Sequence, residues 1–572
     1  MARDEQPLAD VKTLLALAEA GGAGAPLAAR RAAALAETSD PATARRALAL
    51  AVRLEPMDPA PRLALARLHA EAGDLASARA EASAVLKEAI DEAARARASF
   101  ILGEIARLQG EREAARSSYE MTLRIEDALL AVDRANPAAA RWYARARGRI
   151  AELDAHAGHA MRARAGAEGA LAMLRAAAAQ MGEPPVLAAD IADAEMRLAA
   201  IELDDDKPAS ARRRLAEAIG RYEALAVTEK DEPHWRAVLA DAWALAAEAE
   251  YVRGAPDHAR TAMDKALQLR VRLAADNDSE AWALAGTWRT RAALRAALGD
   301  GQAAADSLIQ ARALAETLCA RSRAAEAPAR FLVHTLLDQA DQALRVRDLR
   351  LAREAADTAR ANAEGFASHA GEAALWFSEA SACWDRLAEV ARAAGAPGPM
   401  QDAFARAVEF RRIAVERAPA EPRFVRGLAA ALMKLGEAAL VAKAHQSART
   451  AFNEAASLRL RLAEAAIEDP SAARALAVAL EHIGLAAAAS GDRTAARAAW
   501  EDELALVERI FAASENLDGV RFRAIVEAHL AGLGGRDAEE HRRASLAHFD
   551  ILAKSGVLTD REAGLRRKLW GG

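Results

Sequence analysis

Small residues recur along this chain in two columns, twelve positions apart, and this pattern limits the folds that the chain can adopt. The spacing of the second column is 48 residues in eight of its eleven intervals and 34, 37 or 45 in the others. That column is Ala at every position but one: Ala44, Ala78, Ala115, Ala163, Ala211, Ala259, Ala304, Ala352, the larger Met400, Ala448, Ala496 and Ala544. The first column contains only Ala or Gly, namely Ala32, Ala66, Gly103, Ala151, Ala199, Ala247, Ala292, Ala340, Ala388, Gly436, Gly484 and Gly532. Paired small residues at such intervals predict a stack of helix pairs whose backbones cross closely.

Two further features agree with a stack of helices. The residues four positions after the second column are apolar except in the last repeat, as a buried helix stripe requires; they are Leu48, Ala82, Tyr119, Ala167, Leu215, Met263, Leu308, Ala356, Phe404, Phe452, Trp500 and His548. Glycines fall where the first helix of a pair should end, at Gly73, Gly110, Gly158, Gly254, Gly299, Gly395 and Gly491. Ala, the best helix former, accounts for about 160 of the 572 residues. The sequence therefore predicts an all-α protein.

The segment from Ala98 to Asp127 shows the repeat most clearly. It contains Gly103 in a first helix, Gly110 at the turn and Ala115 in a second helix, and in this it resembles the tetratricopeptide repeat. The resemblance covers about residues 26–555 and implies a right-handed superhelical solenoid of about twelve antiparallel helix pairs. Most later repeats are about fourteen residues longer than those of the family, which predicts helices approaching 20 residues.

The repeats give the expected division of the chain. Residues 1–25 are predicted to form an N-terminal capping helix, and residues 26–127 three repeats of the family length. Residues 128–555 are predicted to form about nine extended repeats, and residues 556–572 a C-terminal capping helix and tail. Thr559 and Glu562 have the spacing of a capping box at the start of that last helix.

Composition excludes several classes of function. The net charge of −6, from 77 basic and 83 acidic residues, gives no general attraction to nucleic acid or to anionic membranes. No stretch of 18 residues lacks a charge, so no transmembrane helix is expected.

Cys319 and Cys383 form no metal-type pair, and a cytoplasmic location in a bacterium is expected. No phosphate-binding loop, zinc-protease or serine-hydrolase motif is present, so we expect no enzyme activity and no cofactor.

Three weaker constellations leave other chemistry open. His156 and His159 are three residues apart and could face one metal ion, although solvated turn residues are the simpler interpretation. Cys319 and His334 raise the possibility of a thiol nucleophile, but a helical stack offers no obvious oxyanion hole. The acidic run 204–206 lies at a turn, where its Asp side chains are expected to cap the next helix.

Acidic residues recur on the first helices, most of them at the position that points into the groove of tetratricopeptide arrays, and Asp193 and Asp241 recur seven residues earlier on the same helices. The candidate partner-binding residues on this concave face are Glu104, Glu152, Asp193, Asp241, Glu248, Asp341, Glu389 and Glu437. Such carboxylates would attract a partner with a basic segment. The alternative is that they pair with Arg three or four residues further on, as Glu104 could with Arg107 and Glu389 with Arg392.

The expected function is a non-catalytic scaffold or adaptor that binds a partner protein or peptide in the concave groove. Long bacterial repeats that look like these often accompany signalling domains, so a regulatory subunit of a separately encoded effector enzyme is an alternative. A structural homo-oligomer is another, and binding of nucleic acid through the many Arg residues is disfavoured by the net charge.

Overall fold

The computed structural model describes residues 5–37, 40–134, 136–157, 159–229, 233–274, 278–321, 326–369, 374–419, 421–465, 470–511 and 517–570. These residues form 26 α-helices and no strand. The helices are α1 (Glu5–Ala20), α2 (Ala25–Ala36), α3 (Pro41–Leu54), α4 (Pro59–Glu71), α5 (Leu75–Glu88), α6 (Glu92–Leu108), α7 (Arg112–Val132), α8 (Pro137–His156), α9 (Ala160–Met181), α10 (Pro185–Asp204), α11 (Pro208–Thr228), α12 (Pro233–Val252), α13 (Pro256–Leu273), α14 (Asp278–Ala297), α15 (Gly301–Arg321), α16 (Glu326–Arg345), α17 (Leu349–His369), α18 (Ala374–Ala393), α19 (Pro397–Arg417), α20 (Pro422–Val441), α21 (His445–Ala465), α22 (Pro470–Ala489), α23 (Arg493–Ile510), α24 (Leu517–Leu533), α25 (Ala538–Lys554) and α26 (Asp560–Trp570).

The predicted all-α fold of stacked helix pairs is confirmed in the described residues. Helices α2 to α25 form twelve pairs, which we divide into first helices (even numbers) and second helices (odd numbers). In every pair except that of α14 and α15, contacts show that the two helices joined by a short turn pack against each other, so they run antiparallel. The helices from α8 to α25 have 17–22 residues, against 12–14 in α2 to α5. In the third repeat, which was predicted to have the family length, α6 and α7 already have 17 and 21 residues. The chain divides into two compact units, residues 1–287 (unit 1) and 288–572 (unit 2), which are described separately.

The ends of the helices follow local sequence. Asp58, Asp74, Asp91 and Asn136 accept hydrogen bonds from backbone N–H groups of the next helix and so cap it. Between the helices of a pair, the predicted turn glycines adopt a left-handed conformation, with φ of +77° at Gly110, for example. Gly158 lies outside the described residues.

The same left-handed turn position is filled by other residues in three pairs. Asp206, Arg347 and Lys443 have φ of 53°, 59° and 60°. The prediction that the acidic run 204–206 caps the next helix is wrong, because Lys207 occupies the N-cap of α11 and no side chain makes the capping bond. Asp206 instead occupies the left-handed position of the turn.

The small residues lie where two helices of a pair cross. Ala151, Ala247 and Gly436 are all buried. Three glycines of the first column each leave room for an aromatic ring of the second helix: Gly103 for Tyr119, Gly436 for Phe452 and Gly484 for Trp500. A Cβ atom at these glycines would lie 2.2–2.5 Å from the nearest ring atom. Gly532 differs, because it is exposed and has no neighbour within 4 Å.

Terminal helices flank the twelve pairs. Val11, Leu15 and Ala18 of α1 are buried in the apolar clusters of α2 and α3. At the other end, Thr559 and Glu562 form the predicted capping box: the Thr559 N–H donates to Glu562 at 2.8 Å, and the Glu562 N–H donates to the Thr559 hydroxyl.

One helix departs from the expectation of no membrane-spanning segment. Residues Ser471–Ala489 of α22 are long and apolar enough to cross a membrane, judged by length and composition alone. In this structure α22 packs against both α21 and α23.

Candidate interaction surface

The first helices form continuous rows. In unit 1, α4 contacts α6, α6 contacts α8, α8 contacts α10 and α10 contacts α12, and in unit 2 α16 contacts α18 and α18 contacts α20. We call the solvent-facing side of these helices the first-helix surface. It contains all eight of the acidic residues predicted to bind a partner.

Ion pairs between neighbouring first helices cross this surface at a fixed spacing of 45 residues. A carboxylate of one first helix meets an Arg that lies one helical turn earlier in the next repeat. The pairs are Glu104 with Arg149 at 2.8 Å, Glu152 with Arg197 at 2.8 Å and Asp341 with Arg386 at 2.5 Å. Because repeats are 48 residues long, one sequence pattern generates the same bridge in both units.

A second set of bridges has a spacing of 49 residues. Arg330 pairs with Glu379 at 3.1 Å and Lys434 with Asp385 at 2.9 Å. Two more pairs have the same spacing, Arg141 with Asp190 and Arg289 with Asp338. Together the two sets, which we call the ion-pair ladder, join α6, α8 and α10 in unit 1 and α14, α16, α18 and α20 in unit 2, and they neutralise much of the acidic charge on these helices.

Glu104 shows how strongly the ladder engages a predicted site residue. Besides Arg149 it pairs with Arg107 at 3.0 Å and accepts a hydrogen bond from the Tyr119 hydroxyl at 2.6 Å. Burial opposes ionisation of this carboxyl, yet the Arg149 and Arg107 guanidinium groups hold its pKa below the usual value. Glu104 is therefore a charged structural link between two first helices.

The other predicted acids differ in how far they are engaged. Glu389 pairs with Arg392 at 3.4 Å, as the alternative interpretation expected. Asp193 accepts a hydrogen bond from the Tyr222 hydroxyl, and Glu437 lies 3.6 Å from His482. Asp241 pairs with Arg270 at 2.5 Å, although its side chain is 58% exposed.

Glu248 is the exception among these acids. It is exposed on α12, and it makes no ion pair within the part of the chain that the structure describes. With the half-exposed Asp241 two turns earlier on the same helix, it leaves negative charge available to solvent at this point of unit 1.

A cation with free donors lies on α8, and sequence analysis did not single it out. The guanidinium of Arg145 lies over the ring of Trp142, 4.5 Å from its centroid, and 5.1 Å from the centroid of Phe100. The two rings pack edge to face with centroids 5.3 Å apart. Arg145 makes no ion pair or side-chain hydrogen bond with any described residue. Burial lowers its pKa, but the group stays charged at neutral pH.

The carboxylates nearest to Arg145 have other partners. Asp190 pairs with Arg141, and Asp193 accepts from Tyr222. Arg145, Arg149 and Glu152 are spaced to share one face of α8, so Arg145 lies beside the ladder on the first-helix surface. The arrangement holds a planar cation in place while its N–H groups remain available to a ligand.

The weaker constellations do not assemble into sites. His156 and His159 are both exposed, and His156 hydrogen-bonds the Glu152 carbonyl through Nδ1 at 2.7 Å. His334 interacts with Glu379 at 3.2 Å, while Cys319 packs against an apolar cluster and burial raises the pKa of its thiol. No group of three His, Cys, Asp or Glu able to hold a metal ion occurs in the described ranges.

Comparisons with known proteins find only distant similarity between this chain and solved structures. No protein-family model matches the chain, and no curated protein matches it. Among solved structures it is similar to yeast Tom70, with a TM-score of 0.40 and 13% identity over 93% of each chain. It is also similar to BtubC (BKLC) from P. vanneervenii, with a TM-score of 0.30 and 16% identity over 53% of this chain and 90% of that one. Likenesses this distant carry no conclusion about function.

Proposed function

We propose that this protein is a non-catalytic scaffold that holds a segment of a partner protein on the first-helix surface of unit 1. The observation that carries the proposal is Arg145, whose guanidinium is fixed over Trp142 and Phe100 with its donors unused by any described residue. Arg145 is half-buried and held in one orientation, so its unused N–H groups favour a ligand that supplies the acceptor.

The chemistry of Arg145 favours a carboxylate of the partner. A planar guanidinium can donate two parallel hydrogen bonds to one carboxylate. Stacking on the aromatic rings already orders the Arg145 side chain, so it loses less conformational entropy when a ligand binds. We infer that a Glu, an Asp or another carboxylate of the bound segment pairs with Arg145.

A basic residue of the same segment would complement Glu248 and Asp241 on α12. The other predicted acids are engaged in the ladder or in local pairs. Their main contribution is therefore to link the helices, and they add little to the affinity for a partner. The proposed partner is thus a protein segment with both an acidic and a basic side chain. The two thiols, one buried at Cys383, are compatible with action in the reducing cytoplasm of a bacterium.

The test is affinity capture from a lysate of the source cells with the full chain as bait, quantified by mass spectrometry. Arg145→Glu should reduce capture of the specific partner about tenfold or more, since a charge-assisted bidentate contact would be lost. Arg145→Lys keeps the charge but not the planar fork, and it should give an intermediate loss. Arg350→Glu is the matched control, because Arg350 is 83% exposed on the second helix α17 and the change in net charge is the same.

The acidic part of the proposal is tested separately. Glu248→Lys should weaken capture of the same partner, whereas Glu354→Lys on α17 should not. Equal capture by the wild type, Arg145→Glu and Glu248→Lys would reject the first-helix surface of unit 1 as the binding site.

A further inference from the structure

A cavity of about 570 Å³ lies at the junction of α7, α8 and α9, away from the ion-pair ladder. Helix α8 packs against both α7 and α9, and the cavity opens where the end of α7 and the second half of α9 flank the first turn of α8. The residues that α9 turns toward it are mostly small, including Gly169. Its volume falls in the range of small-ligand sites, about 300–1,000 Å³.

The lining is apolar over most of the cavity. Leu130, Ala140 and Met173 contribute from three different helices. A ligand that fills this part must therefore present a hydrocarbon body, because it would displace water from apolar side chains.

Polar groups gather at one end. Arg134 and Asn136 lie in the connection between α7 and α8, and Gln180 lies near the end of α9, which reaches the same end because α9 is antiparallel to α8. The Asn136 side-chain oxygen accepts the N–H groups of Ala138 and Ala139 at 3.1 Å, which leaves its amide N–H₂ to donate. Arg134 is exposed and has no ion pair among the described residues.

We propose that this cavity binds a small amphipathic anion, namely a carboxylate with an unbranched hydrocarbon body. The carboxylate accepts hydrogen bonds from Arg134 and from the amide of Asn136, and the hydrocarbon packs against Leu130, Ala140 and Met173. This ligand site is independent of the first-helix surface and of Arg145.

A second groove in the chain provides an internal comparison. It has a volume of about 370 Å³ between α21, α22 and α23, and Leu506 of α23 occupies the same repeat position as Met173 of α9. Its rim carries both Asp502 and Arg509, so its charge does not favour an anion.

The experiment is isothermal titration calorimetry of the full chain with dodecanoate and, separately, with dodecyltrimethylammonium, both below their micellar concentrations. We expect dodecanoate to bind at one site and the cationic amphiphile to bind at least tenfold more weakly. Arg134→Ala should weaken dodecanoate binding about tenfold, as loss of a charged hydrogen-bonding partner predicts. Met173→Trp should abolish binding by filling the cavity, whereas Leu506→Trp in the comparison groove should not change it.

Three results would overturn the proposal: no binding of dodecanoate, equal binding of the two amphiphiles, or unchanged affinity in Arg134→Ala. The second would indicate adsorption to apolar surface only. Because Arg134 is exposed, its replacement tests the proposal even if Met173→Trp fails to fold. Arg145→Glu should bind dodecanoate like the wild type, so failure of the proposed function and failure of this site are distinguishable.

Discussion

Replacing Gly436 by Ala tests whether small residues are required where two helices cross. The added Cβ would lie 2.4 Å from Cε1 of Phe452 and 2.7 Å from two further ring atoms. Phe452 is fully buried and its ring packs against His482, so the ring has little space to move. Overpacking of this kind costs about 1–3 kcal/mol, and three ring contacts favour the upper end.

The helical propensity of Ala offsets part of this cost. Ala is about 1 kcal/mol more favourable than Gly inside a helix, so we expect a net loss of about 2 kcal/mol in the free energy of unfolding. Denaturant unfolding followed by circular dichroism measures it. Gly532→Ala is the control from the same column: nothing lies within 4 Å of its added Cβ, so stability should stay constant or rise slightly.

A second substitution distinguishes a clash from a general effect on the helix. Phe452→Leu in the Gly436→Ala background should recover about 1 kcal/mol relative to the sum of the single changes, because the clashing ring atoms are removed. Elsewhere in the same columns Ala199 already faces Leu215, so the combination occurs in this fold. Additive losses, or a Gly436→Ala variant as stable as the wild type, would refute the reasoning.

Three further predictions concern turns, a buried acid and the ladder. Arg347→Gly and Lys443→Gly should each stabilise the protein by about 1 kcal/mol in denaturant unfolding, because both residues have positive φ; unchanged stability would contradict this. Burial raises the pKa of Glu126 to about 7 from 4.5, so stability should fall by up to about 3 kcal/mol as pH rises through that window. Unfolding at pH 5 and pH 8 should show that Glu126→Gln removes this component, and an unaltered pH dependence would argue against it. A double-mutant cycle with Glu152→Ala and Arg197→Ala should give a coupling of about 1 kcal/mol, and a value near zero would mean that the bridge contributes rigidity alone.

The fold could be predicted because each helix crossing requires a small side chain at one particular sequence position. A close crossing requires a small side chain, so Ala151, Ala247 and Gly436 recur at intervals that reveal the helix pairs. The turns were predicted less completely. A left-handed turn favours Gly but accepts other residues at a cost, and Arg347 and Lys443 therefore gave no signal.

The interaction surface could be predicted only in part. The repeat register predicts that Glu104 and Glu152 lie on the first helices, and the spacing of Glu104 and Arg107 predicts a pair within one helix. The longer bridges join residues 45 and 49 positions apart, as from Glu152 to Arg197, and they become visible only when charges are compared between consecutive repeats. Arg145 gave no signal, because its importance depends on stacking over Trp142 and on the engagement of Asp190 and Asp193 with other residues.

Hydroxyl-radical footprinting of the chain bound to its captured partner tests the central claim most directly, since it reports which side chains a partner covers. We predict that Trp142, on the first-helix surface beside Arg145, loses reactivity at least severalfold in the complex. Met161 on the second helix α9 is 85% exposed and should keep the reactivity of the free protein. Protection of Met161 with unchanged reactivity of Trp142 would place the partner on the second helices and contradict the account.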